Sequence, residues 1–335
     1  MKLNFFEKLL LFINASLLIF QLMLMGSIPS FFEFSLMNLF VPAVVLINIG
    51  FFLFWLLRTK WVFLLFMVAF LIGYAEWGLL YQFPRTLVHA SPNTIKVMTY
   101  NVRLFNRYDW IKNEDIPKRI QYFVKQEQPD VICFQEYSKN EAPEFSSYPY
   151  QYIQPVQPNG KSGIAILSKF PITDSGYINF DNSTNSGIFA DIEHRGKKAR
   201  VYNLHLESLR INLKDTLITN RNSEGLQLKF NQVFKKQLEQ IKQFEAVDVE
   251  NQLPSIICTD LNNSQFSSIY RTLKQGRNDA FKESGTGLGT TFNFSYFPLR
   301  IDFILADPVF KVNAFKSYDN YLSDHLPIMA TLGWE

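Results

Sequence analysis

Cysteine is scarce in this chain: Cys133 and Cys258 are the only two among 335 residues. Two thiols exclude a four-cysteine zinc site, and no spacing rule demands a disulfide between them. Each sits in an apolar run just before an acidic residue and reads as a small buried hydrophobe. Charge of one sign is equally thin, with 33 Lys/Arg against 30 Asp/Glu. Residues 1–85 hold five basic and three acidic side chains, which leaves about one net positive charge for the other 250 residues. So even a balance argues against a broad electrostatic grip on a polyanion, although a local basic rim remains open. No internal repeat or low-complexity tract is visible.

Apolar residues are abundant instead, at 47% of the chain with 33 Phe, and the excess lies at the N-terminus. Runs at 9–25, 36–57 and 61–80 approach the ~20 residues that span a bilayer. A cleaved signal peptide has one short apolar region, so three runs exclude it. Lys2 and Lys8 precede the first run, and Arg58 and Lys60 form the turn between the second and third. The positive-inside rule places these on the cytoplasmic face, and three spans put everything after Leu80 on the other side. Asn14, Gln21, Asn38 and Asn48 are expected to bond between helices, and Glu76, beside Tyr74, Trp77 and Tyr81, to lie at the interface. The chain therefore divides into an anchor of three transmembrane helices (1–85), a linker (86–94) and a catalytic domain (95–335). The lipid bilayer is the one partner of the anchor, and no protein partner is evident.

Within the domain, apolar spacing predicts helices at about 117–128 and 228–246, and His194-Arg195-Gly196-Lys197 reads as a hairpin turn. The rest is β-rich, suiting two packed sheets flanked by helices. Six strand-like runs end in, or contain, a polar residue: Asn101 after Ile95–Tyr100, Glu136 after Val131–Gln135, His205 after Val201–Leu204, Asp260 and Asn262 after Ile256–Thr259, Asp302 within Arg300–Leu305, and Asp324-His325 before Leu326-Pro327. Ionisable groups are rarely buried without partners, so their recurrence on apolar strands points to one shared polar pocket. The polar stretch 208–225 after His205 reads as a surface loop or a lid that shapes the substrate site, with Arg210, Lys214 and Arg221 as phosphate-facing candidates.

These motifs, in this order, resemble the endonuclease/exonuclease/phosphatase superfamily, which includes deoxyribonuclease I: Tyr-Asn-Val, Gln-Glu, Ser-Gly-Ile-Ala-Ile-Leu-Ser-Lys-Phe-Pro-Ile at 162–172, Asn-Leu-His-Leu, Asp-Leu-Asn, Arg-Ile-Asp-Phe-Ile and Ser-Asp-His-Leu-Pro. The resemblance implies an α/β fold, a four-layer αββα sandwich of two mixed sheets with its site at one edge. It also implies that Glu136, Asn101 and Asp324 surround a divalent metal, Mg2+ or Mn2+. Asp260 would orient or deprotonate the attacking water and Asn262 hold the phosphate or water. Alternation along an extended strand favours Asn262 over Asn263, since it shares a side with Asp260. His325 would contact phosphate, oriented by Asp302, and His205 would serve as acid or phosphate donor. Arg103, Lys169 and Arg210 are the substrate-binding candidates, Lys169 being equally readable as a solvated charge. The family's usual Gly before the Asp-x-Asn is Thr259 here, which changes backbone freedom at the strand end.

Phosphodiester hydrolysis needs a hard cation, an activated water and charge-stabilising donors, and this chain holds that inventory. The reading is a membrane-anchored, metal-dependent phosphoesterase outside the cytoplasm. Its substrate is a phosphodiester, nucleic acid being favoured and a phospholipid or sphingomyelin-type substrate the alternative. A catalytically inactive tethered binding module is the reading from another class.

Overall fold

Alternating residues along the central strands enter different layers, and this builds the sandwich. The computed structural model describes residues 3–26, 37–84, 93–112, 114–156, 160–208, 223–292 and 298–334. The strands are β1 (Thr94–Asn101), β2 (Val131–Tyr137), β3 (Tyr150–Pro155), β4 (Gly163–Ser168), β5 (Ile172–Asn179) and β6 (Ser186–His194). They continue with β7 (Lys197–His205), β8 (Ser255–Asp260), β9 (Asn278–Asp279), β10 (Asp302–Ala306), β11 (Phe310–Ser317) and β12 (Ile328–Trp334). They form two mixed six-stranded sheets, ordered β11-β12-β1-β2-β4-β3 and β5-β6-β7-β8-β10-β9.

Ile95, Val97, Val131 and Cys133 of the first sheet meet Val201, Ile256, Cys258 and Ile304 of the second in one buried cluster between the sheets. The alternate residues Met98, Tyr100, Ile132 and Phe134 pack outward against Ile116, Ile120 and Val124 of helix α5 (Ile116–Glu127). On the other side, Tyr202, Leu204 and Ile257 pack against Phe234, Ile241 and Phe244 of α6 (Ser223–Asp248) and Ile269 and Leu273 of α7 (Ser268–Lys274). Helix, sheet, sheet and helix follow in that order. Both thiols are buried between the sheets and free. The hairpin at 194–197 forms as the sequence predicts: His194 pairs with Lys197, and Arg195 and Gly196 take φ of 54° and 77°.

The N-terminal region departs from three straight spans. Helices α1 (Phe5–Leu24) and α2 (Val41–Leu57), the latter extended by a 3-10 turn at Met37–Phe40, are long and apolar enough to cross a membrane. The third run breaks into Trp61–Ile72, whose α-helical part is α3 (Leu64–Ile72), and α4 (Tyr74–Leu80), bent by 80° at Gly73. Gly73 leaves helical backbone (ψ 5°), and Trp77 folds back to stack on Phe70. Three of the four amides bond between helices as expected, Asn48 donating to Gln21 at 2.8 Å and Asn14 donating to Asn48, whereas Asn38 turns to the domain. At the far end of these helices Glu7 pairs with Lys60 at 3.4 Å. The loop at 27–35 and most of the linker lie outside the described residues.

The helices do not hang from a tether. Leu24, Met25, Val41, Val44, Val45 and Leu79 belong to the same buried cluster as Leu261, Phe266, Ile269 and Leu273 of the domain. Asn38 donates to the Phe266 carbonyl at 3.1 Å, and Ser264 donates back to the Asn38 carbonyl at 3.2 Å. Gln265 donates to the Leu79 carbonyl, and Gln82 and Gly287 exchange two backbone hydrogen bonds. Deleting residues 1–84 therefore uncovers an apolar face. Such a fragment is expected to aggregate in detergent-free buffer and, in detergent, to melt below the full chain. Asn38→Ala should cost about 1–3 kcal/mol by stranding buried partners. A monodisperse fragment melting at the full-length temperature, by size-exclusion chromatography and thermal unfolding, would refute this.

Candidate active site

Register brings the polar strand residues together. The parallel ladder of β7 and β8 ends at the pair His205–Asp260, and the antiparallel ladder of β8 and β10 begins at Asp260–Asp302. In the other sheet, β1 and β2 run parallel to the pair Asn101–Gln135, next to Glu136. β12 starts opposite Thr99, which sets Asp324 and His325 beside the end of β1. The two sheet edges then meet: Asn101 Nδ2 donates to Asp260 Oδ2 at 2.9 Å and to Glu136 Oε1 at 3.3 Å.

Asp260 is fully buried. His205 Nε2 and His325 Nε2 lie 3.5 and 3.7 Å from its Oδ2, and the Asn262 backbone N–H donates to its Oδ1 at 3.0 Å. Burial and the Asp302 carboxylate raise the Asp260 pKa, against the opposing pull of His325, His205 and Asn101. His325 Nδ1 lies 2.9 Å from Asp302 Oδ2. Burial disfavours its charge, but the carboxylates of Asp302, Asp260 and Asp324 outweigh this and push its pKa up to about 10. His325 is thus held as an imidazolium at neutral pH.

Asp260, Asp302 and His325 offer ligand atoms within 4.8 Å of one another, close enough to hold a cation. The hydrogen bonding speaks against that use, because Asp302 is engaged by His325 Nδ1 at 2.9 Å and Asp260 accepts from the Asn101 amide at 2.9 Å. Glu136 fits a cation better. Its burial raises its pKa, only partly offset by His325, the Asn101 amide and Arg103, while Asp324 adds a second negative charge. Among the described residues no Lys or Arg forms an ion pair with Glu136. Two adjacent carboxylates with oxygen donors are what a hard divalent cation selects. Asn101 differs from a simple ligand here: its amide nitrogen joins Glu136 to Asp260, and its oxygen accepts the Arg103 N–H at 3.0 Å.

Two site residues hold backbone that non-glycine residues rarely adopt. Glu136 has φ 49°, where the β2–β4 register slips, and Asn262 has φ 49°. Asn262 is therefore not on an extended strand, and the alternation that favoured it over Asn263 does not operate. β8 ends at Asp260, and a tight turn presents Asn262, whose side chain donates to the Leu206 carbonyl at 2.9 Å. Asn263 is buried and donates to Gln237 at 2.9 Å.

Arg103 reaches the rim, its Nε 3.3 Å from Asp324. Lys169 is not brought to the site. Ser168 pairs with Val131 at the start of β2, whereas Glu136 lies near its end, and Lys169 bonds Asp130 and the Gln128 carbonyl at that opposite pole. The antiparallel return of β4 carries it away from the site, contrary to the substrate-binding expectation. Arg210 lies outside the described residues, as do Lys214 and Arg221.

Beneath the site, Gln135 donates to Asn203 at 2.6 Å and to Thr99 at 2.9 Å, while Asn203 donates to the Phe134 and Ala165 carbonyls. This network ties the sheets together where the polar edge begins. Nothing local in the sequence assigns Gln135 and Asn203 a role, although both stand as polar residues within apolar motif strands.

A sequence model of the endonuclease/exonuclease/phosphatase family matches residues 98–325. No functionally curated protein gives a significant match. Among solved structures, an endonuclease/exonuclease/phosphatase family protein from Bacteroides thetaiotaomicron is 19% identical, covering 73% of this chain and 100% of its own, with TM-score 0.55. The human Nocturnin catalytic domain with bound sulfate is 18% identical over 75% of this chain and 97% of its own, TM-score 0.54. A mannosyl-6-phosphatase from Bacteroides thetaiotaomicron is 18% identical over 71% of this chain and 99% of its own, TM-score 0.51. The match spans every motif that converges on Asp260, and the chain belongs to the endonuclease/exonuclease/phosphatase family, a phosphoester hydrolase by class.

Proposed function

We propose that the chain is a membrane-anchored, divalent-metal-dependent phosphodiesterase whose favoured substrates are nucleic acids or nucleotides. The observation that carries this reading is the fully buried Asp260 carboxylate, ringed by two histidines and the Asn101 amide, beside the separate acidic pair Glu136 and Asp324. Glu136 and Asp324 would hold Mg2+ or Mn2+, with Asn101 fixing the Glu136 carboxylate. When bound, that cation neutralises phosphate charge and lowers the barrier to attack. Asp260, with its raised pKa, orients a water and takes its proton. The Asp302–His325 pair presents a fixed positive N–H to a phosphate oxygen, a charge-stabilising donor that needs no reorganisation. His205 stands on the other side of Asp260 to donate to phosphate or to the departing oxygen. Asn262, turned out of the strand, holds the phosphate or the water.

Anchorage rests on α1 and α2, with the bent third run as a further pass. Glu7 and Lys60 mark the end of the helices far from the domain, and Met25, Val41 and Leu79 the end packed against it. With the basic turn at Arg58 and Lys60 in the cytoplasm, the active site faces the non-cytoplasmic side.

Four outcomes test this reading. EDTA should abolish hydrolysis, with Mg2+ or Mn2+ restoring it. Glu136→Gln should lose Mn2+ binding by calorimetry, whereas His325→Gln should retain it; the reverse would move the metal to the cluster around Asp260. His325→Gln and Asp302→Asn should each lower kcat by about 10²-fold or more. The double variant should lose little beyond either single one, because the two act as a unit; fully multiplicative losses would separate them. A periplasm-active alkaline phosphatase fused after Leu80 should be active and one fused at Thr59 silent, and the opposite pattern would invert the topology.

A further inference from the structure

Beside the acidic edge, and sharing Asp324 with it, lies a cavity of about 270 Å3. Its walls include Arg103, Trp110, Ile111, Tyr321, Leu322 and Asp324. It is continuous with the active site in chain and in space. Arg103 follows Asn101 by two residues, Asp324 precedes His325, and Arg103 and Asp324, both in the cavity wall, pair at 3.3 Å. The Arg103 guanidinium lies over the Trp110 ring, 4.1 Å from its centre, and adds a positive charge to that wall of the cavity.

Three observations give this cavity a function beyond spare space. First, Trp110 is 41% exposed and Tyr321 57% exposed, while Tyr100, Phe105 and Phe134 of the neighbouring layer are buried. Two large rings are thus left half in water at the lip of one hollow. Second, the loop that presents Trp110 is strained and held rigid. Arg103, Leu104, Phe105 and Asn106 all have φ between 44° and 63°. Non-glycine residues in that region cost roughly 1–3 kcal/mol each and persist where the surroundings enforce them, commonly at ligand sites. The enforcement is visible: Phe105 is buried against Phe134 and Tyr137, and the Asn106 side chain clasps both the N–H and the carbonyl of Ile111 at 3.0 and 2.8 Å. Third, the volume falls just below the ~300–1,000 Å3 of pockets that hold whole drug-sized ligands. One ring-bearing unit fits; a pair of acyl chains does not.

We infer that this cavity is a subsite for a planar ring, the nucleobase of the nucleotide unit next to the scissile phosphate, stacked against Trp110 and Tyr321 with Arg103 beside its phosphate. The inference rests on the proposed phosphodiesterase reading and deepens it by assigning the group that flanks the phosphate. Stacking on an aromatic side chain is tolerant of base identity and contributes roughly 1–3 kcal/mol per base. Recognition here would be by shape and charge, with little sequence preference.

The test is equilibrium binding to the full chain in detergent, measured by calorimetry without added metal. The probes are thymidine 5′-monophosphate and its baseless counterpart, deoxyribose 5-phosphate. The nucleotide should bind about tenfold or more tightly. Trp110→Ala and Tyr321→Ala should each remove most of that advantage, and Trp110→Phe should keep most of it because a ring remains. Thermal melts of each variant check that the fold is intact, as expected at exposed positions. Equal affinity for the two probes in the unaltered chain, or an advantage that survives both alanine variants, overturns the subsite. Hydrolysis of a dinucleotide and of its abasic analogue, run alongside, separates the two readings. Turnover without base preference overturns the subsite alone, whereas base-dependent binding without any phosphodiester turnover supports the subsite and overturns the reaction.

Discussion

Burying a carboxylate is unfavourable unless its surroundings are built to accept it, and Asp260 is buried completely. Its placement at the end of β8 forces neighbours on both flanks: His205 from the parallel β7 and Asp302 from the antiparallel β10. Asp302 is itself buried, so a cation must stand between the two carboxylates, and His325 fills that position. Asn101 closes the ring from the other sheet. Each member of the site is thereby a condition for burying the next, and the chemistry inherits donors and acceptors that are already oriented.

The same edge concentrates backbone strain. Glu136, Asn262 and the four residues from Arg103 to Asn106 all occupy the left-handed region. In each case a rigid element supplies the constraint: the slipped β2–β4 ladder at Glu136, the end of β8 at Asn262, and the buried Phe105 beneath the Arg103 loop. Strain of this kind turns side chains out of the pleat, which lets a strand-end residue face the sheet edge instead of a packed layer.

The apolar N-terminal helices enter this account through the segment that follows Asp260. Asn263 to Phe266 is pinned by Gln237 on one side and by Asn38 and Leu79 on the other. The helices thus share a core with the layer beneath the polar edge, and the segment carrying Asn262 is framed partly by them. The apolar helices and the site geometry are coupled through packing.

Much of this was legible in the sequence. Alternating apolar residues defined the strands, helical spacing defined the helix from Ile116 to Glu127, and the turn at Arg195-Gly196 followed from its residue types. The polar residues interrupting apolar strands named nearly every group around Asp260, since local composition fixes which strands can bear an ionisable side chain. What the sequence could not contain is which strand returns beside which. Lys169 stood in a motif segment as Glu136's neighbour in order, yet the antiparallel pairing of β4 with β2 carries it to the opposite pole. Alternation suggested the orientation of Asn262, but the turn after β8 sets it, and an apolar run of spanning length breaks at Gly73 where Trp77 folds back onto Phe70. Gln135 and Asn203 gained their meaning only from partners distant in the chain, and Asn38 from the segment Ser264–Phe266 instead of another helix. Residue type dictates what a position can do; the register of two sheets and the packing of distant helices decide which positions meet, because those contacts depend on pairings that no local pattern encodes.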